Sequence, residues 1–201
     1  MYVSIDIETL GLKPEYCDII EFGAVIDNLR DPIEDLPKYH VFLRPPQRKI
    51  KGKTHGARFY RGEPFAMAMH AEKLKWIANE EKGYTYLESE ELGAHFAKWL
   101  IKNGYKSQFS WQESVKIIAA GKNFASFDWR FLRRLLNFEC YVNIHHRVHD
   151  CGPMYFNPKV DATSPGLEEC LKRAGIEKSV EHSAVADAID VIRCLRHKWL
   201  A

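Results

Sequence analysis

Two acids stand two residues apart near the N-terminus, Asp6 and Glu8 in the stretch "SIDIET". Alternate residues of a strand point to one face, so an extended stretch puts both carboxylates side by side. At about 5 Å and an effective dielectric near 20 they repel by roughly 3 kcal/mol. An exposed strand end, salt bridges to Lys or Arg, or a divalent cation would make the pair tolerable, the last because hard cations take oxygen ligands. The pair alone does not choose among these. A third acid, Asp128, lies in "GKNFASFDWRFL" near the start of a helix. A carboxylate there caps free N–H groups and meets the positive end of the helix dipole. Asn123 and Phe127 add an amide and an aromatic ring, a combination able to hold and stack a nucleotide. A fourth acid, Asp187, sits in the last helix among Ala184, Ala186 and Ala188, small residues that let a helix approach a sheet closely. Asp190 reads as a surface acid. His182 precedes Asp187 by five residues, off the i, i+4 face, which places it on the loop entering the helix. Beside a metal-bound water it would be a general base near neutral pH.

The elements that must position these groups follow from periodicity. Tyr2 to Ile7 alternates Val3, Ile5 and Ile7 against Ser4, Asp6 and Glu8, which predicts a strand with one apolar and one acidic face. Residues 19 to 26, "IIEFGAVI", read as a second strand buried on both faces, and residues 39 to 43 as a third, together an antiparallel meander. Residues 44 to 64 are broken by proline and glycine and carry Arg44, Arg48, Lys49, Lys51, Lys53, Arg58 and Arg61, which suits either a solvated loop or a substrate-facing arm. Helices are expected over residues 65 to 81, over 89 to 102 with Ser89 as N-cap, over 127 to 136, and over about 183 to 199. Strands are expected at 114 to 120 and 141 to 148. Ser164-Pro165 opens a further helix that Gly175 closes. The order predicts a mixed α/β fold around a central sheet, with right-handed crossovers between the later strands.

The 201 residues suit one domain, residues 1 to 201, with an irregular basic insertion at about 44 to 64 and a helical extension at about 65 to 88. Apolar content is 46% and charged content 28%, ordinary for a globular protein, and the net charge of +2 is too small to argue for nucleic acid by itself. Five scattered cysteines with no CxxC pair fit a reducing compartment. With no signal-peptide pattern and no run near the ~18 apolar residues of a membrane span, the expectation is a cytoplasmic or otherwise intracellular protein without membrane association.

"DIET", "NFASFD" and "HSAVAD" fall in that order and span residues 6 to 187. Together they resemble the three exonuclease motifs of the DnaQ-like 3′-to-5′ exonucleases, and His-x4-Asp resembles the DEDDh branch, which includes polymerase proofreading subunits, ribonuclease T and oligoribonuclease. "ETLGL", "IIEFGAVI" and Phe131-Leu132 add to the likeness. The resemblance implies a ribonuclease H-like sheet of order 3-2-1-4-5 with strand 2 antiparallel. It implies Asp6, Glu8, Asp128 and Asp187 as ligands of two divalent ions, Mg²⁺ or Mn²⁺, and His182 as the base that deprotonates the attacking water. It further implies that the backbone near Thr9 and Leu10, with Phe127 and Asn123, holds the 3′-terminal nucleotide of a single-stranded DNA or RNA, with release of nucleoside 5′-monophosphates. Two ions roughly 4 Å apart activate the water and stabilise the leaving oxygen, which suits the residue types.

No element for choosing between DNA and RNA stands out, and discrimination requires contacts to the 2′-hydroxyl. An exoribonuclease is the neighbouring expectation; a nucleic-acid-binding module without activity is the contrasting one, disfavoured because unneutralised acids repel phosphate. Homodimerisation is left open, and no polymerase domain or clamp-binding tail is visible. The run "NIHHRVHDC", with His145, His146, His149 and Cys151, fits no standard zinc spacing and reads better as a basic strand face or an exposed segment. Arg130, Arg133 and Arg134 read as a solvated helix face.

Overall fold

The computed structural model describes residues 1–49, 56–108, 113–177 and 183–200. Three strands form the expected meander: β1 (Tyr2–Thr9), β2 (Ile19–Asp27) and β3 (Lys38–Leu43), with β1–β2 and β2–β3 antiparallel. Two-residue strands β4 (Gln47–Arg48) and β5 (Ala57–Arg58) pair with each other. The chain then makes α1 (Pro64–Met69) and α2 (Ala71–Asn79), and β6 (Tyr86–Leu87) adds to β3 in parallel. After α3 (Leu92–Lys102) come β7 (Val115–Ile117) and β8 (Ala119–Ala120). They are followed by α4 (Asp128–Leu132), α5 (Phe138–Tyr141), β9 (Val142–Ile144), α6 (Cys151–Tyr155), α7 (Leu167–Arg173) and α8 (Ala184–Trp199). The main sheet is mixed and has the order β6-β3-β2-β1-β8; β7 pairs with β9 in parallel. The expected order 3-2-1-4-5 is therefore present in two pieces. The fourth strand breaks at Ile118, whose carbonyl accepts from Val3 N at 2.9 Å, so that β8 continues along β1 while β7 carries β9.

Several elements are shorter than periodicity predicts. The helix expected over 127 to 136 stops at Leu132, and Asn137 takes a left-handed φ of 63° before α5. The strand expected over 141 to 148 is regular only to Ile144, so His145, Arg147 and His149 form no strand face. His149 instead sits edge-on to Tyr2 and Trp199. The helix expected from Ser89 starts at Leu92, because the Ser89 hydroxyl bonds Glu90 rather than a backbone N–H. His70 divides the helix expected over 65 to 81. The short α6 has no periodic signature; Asp150 caps it by accepting from Gly152 N at 2.8 Å.

Two apolar layers cover the sheet. Val3, Ile5 and Ile7 pack with Phe22, Phe96, Leu100 and Phe124 on one side. On the other, α8 lays Ala188, Val191, Ile192 and Leu195 against Val25 and Ala120. A third cluster of Leu10, Ile20, Phe42 and Ile77 fastens α2 to the sheet. Three arginines of the 44 to 64 segment have acid partners: Arg44 pairs with Glu80 at 2.7 Å, Arg58 with Glu88 at 2.6 Å and Arg48 with Asp18 at 2.5 Å. Lys51 and Lys53 lie outside the described residues. Among the described residues no helix is long and apolar enough to cross a membrane.

The docking of α8 decides where its acids stand. Two buried acids of β2, Glu21 and Asp27, each hold one end of it. The Glu21 carboxylate accepts from Ala184 N at 3.0 Å. The Asp27 carboxylate accepts from Arg196 Nη2 at 2.5 Å, from Arg196 Nε at 3.1 Å and from Tyr2 Oη at 2.6 Å. Six strand residues rise about 20 Å and the helix from Ala184 to Arg196 about 18 Å, so the spans match. Between the two acids lies Gly23. A Cβ on Gly23 would meet the Ala184 carbonyl carbon at 2.3 Å and Val185 N at 2.4 Å, so glycine is what lets the helix backbone close on the sheet.

Burial pushes the Asp27 carboxyl up, but Arg196, Tyr2 and Leu29 N outweigh it and hold it below the usual carboxylate value. A lowered folded value stabilises above the unfolded carboxylate pKa and is lost as pH falls through the folded one. Asp27→Asn, which leaves Arg196 without its counter-charge, is expected to cost about 3 kcal/mol at pH 7. That difference from wild type should shrink below about pH 4 in denaturant titrations. A pH-independent difference would contradict the assignment.

Candidate active site

Asp6 stands at the centre of β1, paired across the sheet with Gly23, on the face that α8 covers. The glycine gap that admits the first turn of α8 also brings in Asp187, only 9% exposed, in that turn. Asp128 arrives from the other side as the first residue of α4 and is buried. Its Oδ1 accepts from Ile7 N at 3.2 Å, taking a ladder position beyond the point where β8 has ended at Ala120. One carboxylate thereby ties α4 to the strand between Asp6 and Glu8. Burial first, then Asp128, Asp187, Glu8 and Glu21, drives the Asp6 carboxyl well above the ordinary carboxylate range. Burial likewise pushes Asp128 up to about 8, with Asp150 and Glu8 adding to it against the pull of backbone N–H groups. Glu8 is pushed up to about 7 by burial and by Glu21 and Asp187, with Lys73 opposing. Acids from three distant segments thus share one low-dielectric site. Asp190, expected at the surface, is buried one turn after Asp187 and pairs with Arg193 at 2.5 Å.

Three further groups complete the site and were not expected from sequence. Glu21 is directly opposite Glu8 in the β1–β2 register. Its Oε1 meets His40 Nε2 at 2.9 Å as well as Ala184 N, and its Oε2 meets Lys73 Nζ. Burial raises its carboxyl, but His40 and Lys73 bring it below the ordinary value. Lys73 Nζ also lies 3.3 Å from Glu8 Oε1, and His70 Nε2 lies 3.6 Å from Glu8 Oε2. His70, Lys73 and Ile77 recur at helical spacing, and Ile77 is the one in the core, so packing of α2 aims the other two at the acids. The one available signal was Glu21 itself, an acid within the otherwise apolar run of residues 19 to 26.

Beside Glu8 opens a cleft of about 340 Å³ whose walls are mostly apolar. Thr9, Leu12 and Phe127 line it on one side, Phe65 and Met69 of α1 on the other. Leu12 is 71% and Phe65 80% exposed, so these side chains face solvent rather than the core. The Leu10 side chain is fully buried; its N–H donates to Asp18 O and its carbonyl accepts from Glu63 N. Gly11, with φ of 142°, ends the alternation of β1 and gives the exposed position to Leu12. Asn123 takes a left-handed φ of 61°, is exposed, and donates its N–H to Asp150 Oδ2 at 3.0 Å. His182 lies outside the described residues; its neighbour Ser183 is the N-cap of α8.

The donor set, four carboxylates with no sulfur, suits hard divalent cations. Among the described residues, however, no three His, Cys, Asp or Glu side chains form a group that could hold a metal ion as they stand. The histidines of "NIHHRVHDC" form no such group either.

No protein-family model matches the chain, and no curated protein matches it. Solved structures do. E. coli exonuclease I in complex with a dA16 oligonucleotide aligns with a TM-score of 0.58 at 17% identity, over 97% of this chain and 40% of that one. The zinc-ion-bound form of the E. coli exonuclease I–ssDNA complex aligns at 0.57 and 18%, over 96% and 39%. A moderately thermophilic exonuclease I from Methylocaldum szegediense aligns at 0.58 and 19%, over 97% and 39%. The chain thus has the fold found in these exonucleases and spans about two-fifths of their length.

Carboxyls raised above their unfolded values favour folding at low pH and lose that contribution as pH rises through the folded values. In EDTA the wild-type melting temperature is therefore expected to fall between about pH 5 and pH 8. Removing one like charge at Asp6→Asn should raise stability at pH 8 by on the order of 1–3 kcal/mol. A variant that melts below wild type there would show that the acids do not repel as described.

Proposed function

We propose that the protein is a metal-dependent 3′-to-5′ exonuclease of the DEDDh type, acting on single-stranded 3′ ends and releasing nucleoside 5′-monophosphates. The observation that carries this reading is the burial of Asp6 beside Asp128, Asp187 and Glu8 in a fold shared with exonuclease I. A pure binding module gains nothing from clustered acids, which repel phosphate. Asp6, Glu8, Asp128 and Asp187 would hold two Mg²⁺ or Mn²⁺ ions, which when bound supply activation of a water and stabilisation of a leaving oxygen. His182, adjacent to the N-cap of α8, takes the proton from the attacking water. The cleft beside Glu8 takes the terminal base: Phe127 offers a ring face, Leu12, Phe65 and Met69 offer apolar contact, and none of these reads base identity through hydrogen bonds. Asn123 and the backbone at Thr9 flank the sugar and phosphate. Two of the matched E. coli exonuclease I structures are complexes, one with ssDNA and one with a dA16 oligonucleotide, so DNA is the first polymer to test.

End-labelled single-stranded DNA and RNA, incubated with Mg²⁺, Mn²⁺ or EDTA, test this directly. Stepwise shortening from the 3′ end is expected with either metal and not with EDTA. Asp6→Ala should abolish it and His182→Ala should slow it by roughly 10²–10⁴. Shortening that survives EDTA would contradict the metal requirement, and binding without degradation would leave the binding module as the better reading.

A further inference from the structure

Glu8 and Glu21 are directly opposed across the antiparallel β1–β2 pair, an arrangement that is unfavourable when both are charged and otherwise unrelieved. Lys73 relieves it. Its ammonium lies 3.3 Å from Glu8 Oε1 and contacts Glu21 Oε2, and its side chain is only 14% exposed. The two acids are not held equally. Glu21 is also bonded to His40 at 2.9 Å and Ala184 N at 3.0 Å, so it is locked into the docking of α8. Glu8 has the longer contact to Lys73 and faces His70 at 3.6 Å on its other oxygen. A divalent ion and Lys73 therefore present alternative cations to the same carboxylate. Lys73 comes from α2, which the Ile77 cluster anchors to the sheet, so the ammonium is delivered by a packed helix rather than by a mobile surface chain.

We infer that Lys73 is a resident counter-cation that competes with divalent metal for Glu8 and thereby sets the metal concentration at which the site fills. The inference rests on the reading of Glu8 as a metal ligand. On metal binding Glu8 leaves Lys73, while Lys73 keeps Glu21 and with it the position of α8. The role is one of positioning and charge compensation; Lys73 performs no chemistry.

Titration calorimetry with MnCl₂ alone, without nucleic acid, separates the possibilities. Lys73→Met should bind Mn²⁺ about tenfold more tightly than wild type, since two charges against one a few ångströms away are worth at least a factor of ten even at the dielectric of water. Lys73→Arg, which keeps the charge, should stay within about threefold. Lys73→Gln serves as a second neutral variant if Lys73→Met does not fold. Melting supplies an independent readout: the neutral variants should melt below wild type in EDTA, and the gap should close as Mn²⁺ replaces the missing cation. Wild-type binding with an unchanged or weakened affinity in the neutral variants, or a melting gap indifferent to Mn²⁺, would overturn the role of Lys73 alone. Absence of Mn²⁺ binding by wild type would overturn it together with the proposed metal site.

Discussion

Carboxylates buried beside one another are unfavourable unless each finds a counter-charge, a hydrogen-bond donor or a proton, and this constraint organises the rest of the structure. Asp6 has burial and four other acids acting against its ionisation. Asp128 meets the demand with Ile7 N, Glu21 with His40, Lys73 and the start of α8, and Glu8 with Lys73. These contacts also link α2, α4 and α8 to the sheet, alongside the apolar packing of α2 and α8. The groups that make the site electrostatically difficult are thus the groups that assemble it.

The two ends of the chain meet through β2. Glu21 and Asp27 hold α8 at its first turn and near its last, and Gly23 between them removes the side chain that would keep the helix away. Asp187 owes its place to that geometry and not to its own contacts with solvent. A rigid spacing of two buried acids along a strand sets the rotation and height of a sixteen-residue helix. The catalytic reading of Asp187 and His182 therefore depends on residues that do no chemistry themselves.

Much of this was legible in the sequence because it is local. The alternation of Val3, Ile5 and Ile7 with Ser4, Asp6 and Glu8 has only one strand solution, and the structure adopts it. The small residues around Asp187 signalled a close approach, and Gly23 shows where it occurs. What stayed hidden is long-range. Lys73 and His70 lie in a segment whose pattern announces a helix but not its target. The role of Glu21 was hidden because its partners come from β3, α2 and α8. The cleft was equally hidden: Gly11 turns the chain after β1, so that the Leu12 side chain lines the cleft while that of Leu10 is buried. Asp190 was misread although it lies three residues after Asp187 and so on a neighbouring part of the same helical face.

The segment between β3 and α3 now has a physical place: Arg44 and Arg58 pair with acids of the same segment, α1 walls the cleft, and α2 feeds a cation to the acids. The central claim is that Asp6, Glu8, Asp128 and Asp187 are one metal-binding site. Anomalous scattering from a Mn²⁺-soaked crystal tests it most directly. The account predicts anomalous peaks within ligating distance of Asp6, Glu8, Asp128 and Asp187, with the Glu8 carboxylate turned away from Lys73. A crystal saturated with Mn²⁺ that shows no peak among these carboxylates would contradict it.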